Sequence, residues 1–339
     1  MRITFNKDLS ALNTFRMKVR AAAFAEYSGL EGLRAILSMP GLPRPLLHIG
    51  GGSNLLFSGD FKGTVLHSAV KGILFIDNGT PEVLARVGAG ESFDGFCALA
   101  ASKGLWGTEN LSLIPGEAGA AAVQNIGAYG VEIKDVLESV EAYDTVSGEM
   151  VTLGCEDCRY AYRDSVFKNE AKGRYIILYV TFKLSRDYSP RLSYGHVEAA
   201  VREVCGSGTL TPMMIRDAIV GIRKTKLPAV EETGSAGSFF RNPFVSREQY
   251  EAIASRYEKV PHFINPDGTV KIPAAWLIEQ CGLKGYSEGN AAVYHKQPLV
   301  IVNATGEATP DEILSLEQKV IDSVWNRFSI RLSPEVEHI

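Results

Sequence analysis

The chain has 339 residues, 45% of them hydrophobic and 22% charged, with a formal net charge of −4. That length exceeds what one hydrophobic core usually serves, so two or three domains are expected. The mild negative charge gives no electrostatic footing for nucleic acid or an anionic membrane, and no run of about 18 apolar residues marks a membrane span.

The N-terminus, Met1-Arg-Ile-Thr-Phe-Asn-Lys7, has no signal-peptide core, so a cytoplasmic protein is expected. The apolar stretch Pro45-Leu-Leu-His-Ile49 predicts a short strand that feeds the turn Gly50-Gly-Gly-Ser-Asn54. Such a turn is rich in main-chain N–H donors and can nest an anion, phosphate included. It is neither the G-x-G-x-x-G dinucleotide fingerprint nor a Walker A loop, and an ordinary loop is the plain alternative.

Glu82–Val87 predicts a strand, and Ser92–Lys103 a helix with Phe93, Phe96 and Leu99 at helical spacing. Ile114 to Gly130 then packs glycine and alanine where an element interior would want larger side chains. Small residues let backbone approach something flat and large; a Gly/Ala-rich loop is the alternative. Ser139–Thr145 and Glu149–Leu153 predict a hairpin turned at Ser147-Gly148, and Tyr175–Leu184 a β-branched, aromatic strand. The polar stretch Ser185–Arg191 is a boundary candidate.

Beyond it, helices are expected near Thr211–Arg223, Ser246–Tyr257 and Ile272–Cys281, with Pro298–Asn303 a buried strand. Thr309-Pro-Asp-Glu312 combines N-cap, first-turn proline and capping-box acid. Ile313, Leu316, Val320 and Val324 form the apolar side of that helix, and Ser329–Leu332 is expected to be a short strand. The five cysteines are scattered and odd in number, as for reduced thiols. Cys155-Glu-Asp-Cys158 lacks a second pair or a nearby histidine, so it reads as a surface turn with two free thiols, and no metal site is expected.

Four polar constellations could carry chemistry. Arg163, in Tyr162-Arg-Asp-Ser-Val-Phe-Lys168, has a planar guanidinium suited to carboxylate or phosphate; a solvated loop arginine is the alternative. Ile222-Arg-Lys-Thr-Lys-Leu-Pro228 holds three cations in four residues, which favours an anion or merely ends a helix in solvent. Gly237-Ser-Phe-Phe-Arg-Asn-Pro243 suggests a partly dry pocket, although Ser238 has no histidine partner in sequence. Glu335 stands in the C-terminal tail, where a glutamate is more often solvated than catalytic.

Taken in order with Asn13-Thr-Phe15, Ile114-Pro-Gly116, Gln124-Asn-Ile-Gly-Ala-Tyr-Gly130, Lys226-Leu-Pro228, Asn242-Pro243, Ala274-Ala-Trp-Leu-Ile278, Gly282-Leu-Lys-Gly285 and Pro334-Glu-Val336, these pieces resemble the UDP-N-acetylenolpyruvoylglucosamine reductase family nearly end to end. The resemblance implies an α+β protein: an FAD-binding fold of the vanillyl-alcohol-oxidase type in two subdomains (residues 1–67 and 68–210), a substrate domain (211–328), and a tail (329–339) that carries Glu335 to the active site.

It also implies non-covalent FAD, NADPH as hydride donor, and reduction of the enolpyruvyl group of UDP-N-acetylenolpyruvoylglucosamine by a monomeric enzyme. FAD would be held by Gly50, Gly51, Gly52, Ser53, Asn54 and Leu55. Pro115, Gly116, Gln124, Asn125, Ile126, Gly127, Ala128 and Tyr129 would complete the cofactor site. His48 is expected to be structural.

Arg163 and Glu335 would sit at the substrate carboxylate, and Ser238 would donate the proton. Near a carboxylate, Glu335 must be protonated or bridged by water. Tyr129, Tyr194, Lys226, Asn242, Lys284 and Gln297 would contact the nucleotide sugar, with Tyr194 on an inserted segment that only one branch of the family carries. A flavin oxidase of a sugar or alcohol on the same fold, and a non-catalytic flavin or nucleotide-sugar binder, stay as alternatives.

Overall fold

The computed structural model describes residues 1–194, 197–206 and 208–339; Gly195, beside Tyr194, and the side chain of Cys205 lie outside that description. Strands and helices mix without alternating, an α+β pattern, and the chain divides into two compact units. One comprises Met1–Lys7, Ala21–Gly51 and Lys62–Lys224; the other comprises Asp8–Arg20, Gly52–Phe61 and Thr225–Ile339.

The first unit holds two larger sheets. One has four strands in the order Arg2–Asp8, Arg20–Tyr27, Phe61–Ser68, Leu46–Ile49, the last pair parallel with Ile49 opposite His67. The other has five antiparallel strands in the order Met150–Gly154, Leu137–Asp144, Tyr175–Ser185, Glu82–Gly88, Ile73–Asp77. The expected hairpin and the three expected strands are therefore present.

The central strand Tyr175–Ser185 serves two cores. Tyr179 pairs with Glu141 and Ile177 with Ala142, so Leu178 is an extra residue, a bulge. A bulge shifts the two-residue period by one. Ile177 and, past the bulge, Val180, Phe182 and Leu184 pack into the same core as Phe93 and Phe96, where the Phe96 and Phe182 rings stack 4.7 Å apart. Ile176 and Leu178 face the other core, with Tyr27, Leu33 and Ile36.

The helix Phe93–Ser102 begins where Ser92 accepts the Gly95 N–H at 3.2 Å. Leu99, expected on its buried face, is 37% exposed. The Gly/Ala run is not a loop throughout: Ala118–Gln124 is helical. A Cβ on Gly119 would stand 2.8 Å from Ala89 Cβ, and the Gly119 N–H donates to Ala89 O at 2.9 Å. The small residues thus let this helix lie directly on the chain leaving the strand Glu82–Gly88. A helix absent from the sequence reading, Val197–Cys205, joins Pro212–Lys226 in a small apolar cluster with Trp106, Leu210 and Ile215. The four cysteines whose side chains are described carry free thiols, but Cys158 is buried in the main core rather than in a surface turn.

The second unit centres on a four-stranded sheet in the order Gly234–Ser235, Ile301–Asn303, Ala291–Val293, Ser287–Glu288. The helix Pro310–Phe328 has the expected capping box, with both reciprocal bonds between Thr309 and Glu312, and buries Ile313, Leu316, Val320 and Val324. Asn13-Thr-Phe15 ties this unit together. Asn13 closes its own turn through Leu9 O, Met17 O and the Met17 N–H. The Thr14 N–H donates to Gly52 O at 3.1 Å, and Asn303 donates to Phe15 O at 3.1 Å.

Ser329–Leu332 is not a strand. Ile330 and Leu332 are buried as the alternation required, but the ladder forms further on, where Glu337 and His338 pair in parallel with Leu55 and Leu56. His338 Nε2 lies 3.1 Å from Glu317 Oε2, an ion pair that raises the imidazole pKa against the opposing effect of burial. A group raised on folding adds stability below its unfolded pKa of about 6.5, and that stability is lost as pH rises through the folded value. Amide exchange at Glu337–Ile339 is therefore expected to quicken as pH rises above about 6.5 beyond its intrinsic rise, and His338→Gln to remove the excess. An unchanged excess in that variant would assign it to another group.

Candidate active site

The glycine turn leaves its strand at Ile49 and presents backbone rather than side chains. A Cβ on Gly50 would stand 2.9 Å from Ala120 Cβ and 3.3 Å from Glu117 Oε2, and one on Gly51 would stand 3.3 Å from Gly116 Cα. Gly116, after Pro115, has φ +113° and accepts the Phe93 N–H at 3.1 Å. Two backbone segments thus face each other with no room for side chains, a cradle that suits a diphosphate approached through main-chain groups. Beside it, Glu117 Oε2 is sealed from solvent and without a partner among the described residues.

The Gln124–Gly130 segment is fixed from several directions. Buried Asn125 donates to Ala161 O at 2.8 Å and accepts the Lys134 N–H at 3.1 Å. Lys168 donates to Gln124 Oε1 at 2.6 Å and to Arg163 O at 3.2 Å. Arg163 donates from Nη2 to Gly127 O at 2.8 Å. Asn125, Tyr129 and Arg163 all have positive φ, at +45°, +49° and +56°. Left-handed backbone in non-glycine residues is costly and clusters where a site imposes it. Ile126 and Ala128 pack against the main core, and Gly127 and Ala128 pair with Glu132 and Val131.

Tyr129 and Tyr194 meet edge to face with ring centroids 6.3 Å apart, and Tyr194 remains 39% exposed. Burial pushes the Tyr129 phenol up in pKa, with the Arg223 cation pulling it back. Burial likewise lowers Arg223, opposed by Tyr129. Three positioning residues escaped the sequence reading. Buried Asn110 donates to both Tyr129 O, at 2.9 Å, and Arg191 O, at 2.8 Å, joining the loop to the tyrosine segment; a lone asparagine gives no signal. Lys168 and Arg223 lie in the Tyr162–Lys168 and Ile222–Pro228 motifs, but only folding shows which cation points inward.

In the second unit, Gly52 has φ +63° and Asn54 donates to Glu335 O at 3.1 Å. The Glu335 N–H donates to Phe239 O at 2.8 Å, and Phe240 bridges to Pro334. Ser238 and Glu335 thus lie on adjacent hydrogen-bonded segments, both half-buried. The Phe239 N–H donates to Leu299 O at 2.8 Å, which brings in the turn where Gln297 O accepts the Val300 N–H. Asn242 Oδ1 accepts the Ala274 N–H at 2.9 Å at the start of the helix Ala274–Gln280. Ser53 and Leu55 flank Asn54 in the glycine turn and the strand Leu55–Leu56. Lys226 ends its helix exposed, and Lys284 is exposed and ion-paired with Glu279 at 2.8 Å.

A family model described as FAD binding domain matches residues 31–154, and one described as UDP-N-acetylenolpyruvoylglucosamine reductase, C-terminal domain, matches residues 228–339. A UDP-N-acetylenolpyruvoylglucosamine reductase of Neisseria meningitidis serogroup A is 44% identical over 98% of this chain and 96% of its own length. The proteins of the same name from Chromobacterium violaceum and Bacteroides fragilis are 44% and 43% identical, over 97% and 96% of this chain and 96% and 97% of their own lengths. The crystal structure of the reductase from Thermus caldophilus superposes with a TM-score of 0.68 at 23% identity, covering 99% of this chain and 98% of that one, and bears on the fold alone. Identity of this extent across almost the whole sequence places the chain in the UDP-N-acetylenolpyruvoylglucosamine reductase family.

Proposed function

We propose that this protein reduces the enolpyruvyl group of UDP-N-acetylenolpyruvoylglucosamine to give UDP-N-acetylmuramate, with FAD and NADPH, as a cytoplasmic monomer in peptidoglycan synthesis. The observation that carries the reading is the hydrogen bond from Glu335 N–H to Phe239 O, which sets a tail carboxyl beside the segment of a hydroxyl donor. FAD, when bound, supplies the two-electron relay between NADPH and the enol ether.

The residues supply the rest. Hydride arriving at the terminal enolpyruvyl carbon leaves negative charge on the carbon next to the carboxylate. Arg163 and Glu335 stabilise that charge as it spreads into the carboxylate, since preorganised charges and donors are worth most where charge develops. Ser238 Oγ–H protonates the carbanion-like carbon, and solvent restores the serine proton. Residues 1–67 and 68–210 form the cofactor part and 211–328 the substrate part. Gly50–Leu55, Pro115, Gly116 and Gln124–Tyr129 hold the cofactor. Tyr129, Tyr194, Lys226, Asn242, Lys284 and Gln297 hold the nucleotide sugar.

The test is anaerobic flavin absorbance, with NADPH added first and UDP-N-acetylenolpyruvoylglucosamine second. Bleaching followed by recovery is expected. Bleaching without recovery would leave a flavin oxidase acting on another substrate, and a flavin that NADPH cannot bleach would leave a binder. Tyr194→Phe is expected to raise KM for the nucleotide sugar roughly 10- to 100-fold, the worth of one hydrogen bond to a charged group. Flavin reduction by NADPH should change much less. An unchanged KM would remove Tyr194 from the site.

A further inference from the structure

The helix Pro212–Lys226 carries two arginines seven residues apart, Arg216 and Arg223, a spacing that returns a side chain to the same face. Arg216 has a carboxylate: its Nη1 and Nη2 fork onto Asp94 at 2.5 and 3.0 Å. Among the described residues no carboxylate pairs with Arg223, and Asp94 acts on it only at a distance. Its guanidinium donates instead to the Tyr129 hydroxyl oxygen. Arg223 Nε is sealed and makes no hydrogen bond among the described residues, so the donor is one of the terminal nitrogens. Lys224 and Lys226, both exposed, already suit the negative end of the helix dipole. A third cation turned inward, desolvated and unpaired, needs a separate reason.

Tyr129 supplies one. Its backbone is left-handed at φ +49°, and its carbonyl accepts from Asn110 at 2.9 Å. Its ring packs on the apolar cluster of Trp106, Ile215 and Ile219 and meets Tyr194 edge to face. With backbone and ring held, the freedom left is the rotation of the O–H bond. A phenol has a single hydrogen, which rotates to suit its neighbours, whereas a guanidinium can only donate. The bond from Arg223 therefore makes the Tyr129 oxygen an acceptor on that side and leaves its hydrogen to be given elsewhere.

We infer that Arg223 is a positioning residue that turns the Tyr129 O–H toward an anionic oxygen of the bound nucleotide sugar. The inference rests on the function proposed above and adds to it the direction of one hydrogen bond. Burial raises the phenol pKa and Arg223 pulls it back, which makes the O–H a readier donor. Two bonds in series polarise each other, and a bond that ends on an ionised oxygen is among the strong ones. A guanidinium that acted on the ligand by charge alone would have no need of Tyr129, and a double-mutant cycle separates the two cases.

Binding of UDP-N-acetylenolpyruvoylglucosamine to the oxidised full-length holoenzyme, without NADPH and so without turnover, is followed by titration calorimetry for the parent, R223M, Y129F and the double variant. Y129F is expected to weaken binding roughly 10- to 100-fold, the worth of a hydrogen bond to a charged group. R223M should lose most of the same factor, and the double variant should stay within about threefold of Y129F, because the hydroxyl that Arg223 directs is already gone. In turnover, R223M should raise KM and leave kcat within about threefold of the parent. Parent-like binding in either single variant would overturn the inference. Losses that multiply in the double variant would make Arg223 an independent charge, and a kcat that falls as far as kcat/KM would give it another role; each overturns it too. R223K, which keeps a cation but not the fork that aims it, replaces R223M if that variant melts far below the parent, with the same coupling to Y129F expected. A parent holoenzyme that does not bind the nucleotide sugar would instead sink the proposed function itself.

Discussion

Ser238→Ala is expected to leave flavin bleaching by NADPH close to the parent rate while slowing recovery on the enolpyruvyl substrate by roughly 10²- to 10⁴-fold, the usual worth of a positioned general acid. The hydroxyl is removed from a frame that other atoms fix. Gly237 turns at φ +69° just before it, and Phe239 follows with both main-chain groups bonded, its N–H to Leu299 O and its O from the Glu335 N–H. The Phe239 and Phe240 rings are buried, with centroids 5.0 Å apart. A methyl at Ser238 should therefore cost below about 1 kcal/mol of stability. The two half-reactions separate cleanly because proton donation belongs only to the second. Parent-like recovery in the variant would transfer the acid's role to another residue or to water.

Gly52→Ala should be the most damaging single methyl in the glycine turn. Its Cβ would stand 2.0 Å from Leu12 O and 2.9 Å from Asn13 Cα, at a φ of +63° that L residues rarely adopt. The obstructing atoms are backbone, so no side chain can swing aside. Left-handed strain and overlap together should cost about 3–5 kcal/mol. The purified variant is expected to melt well below the parent and to carry little flavin. Gly59→Ala is the control: nothing lies within 4 Å of its added carbon, and a change within about 0.5 kcal/mol is expected. A Gly52→Ala protein with parent melting and full flavin would mean that the turn is slack.

The strands and helices with strong local patterns were legible in sequence. The Thr309 capping box depends on residues three apart, so a linear reading reaches it. Ser329–Leu332 failed for an instructive reason. Its alternation was real, since Ile330 and Leu332 are buried, but alternation reports burial and not a hydrogen-bonding partner. The helix Ala118–Gln124 was obscured because its small side chains answer to contact with Ala89, a tertiary demand that local propensity does not register. The candidate site became legible through the joint order of its motifs rather than through any one of them. Asn110 and Arg223 stayed hidden because each acts on partners far along the chain, as Asn110 does on Arg191, 81 residues away.

The pairing of Leu55–Leu56 with Glu337–His338 also fixes when the protein can be finished. Ser58 and Ile339, joined by a hydrogen bond from the Ser58 hydroxyl, are 281 positions apart. At about 5–20 residues per second, a ribosome needs roughly 15–60 s to travel between them. During that interval the segment after the glycine turn has a waiting strand edge and no partner, while most of the first unit has already emerged. Maturation of the turn thus waits for residues 337–339 to be made, and until then the nascent chain is open to proteases and to strand pairing with a second copy just downstream of Asn54.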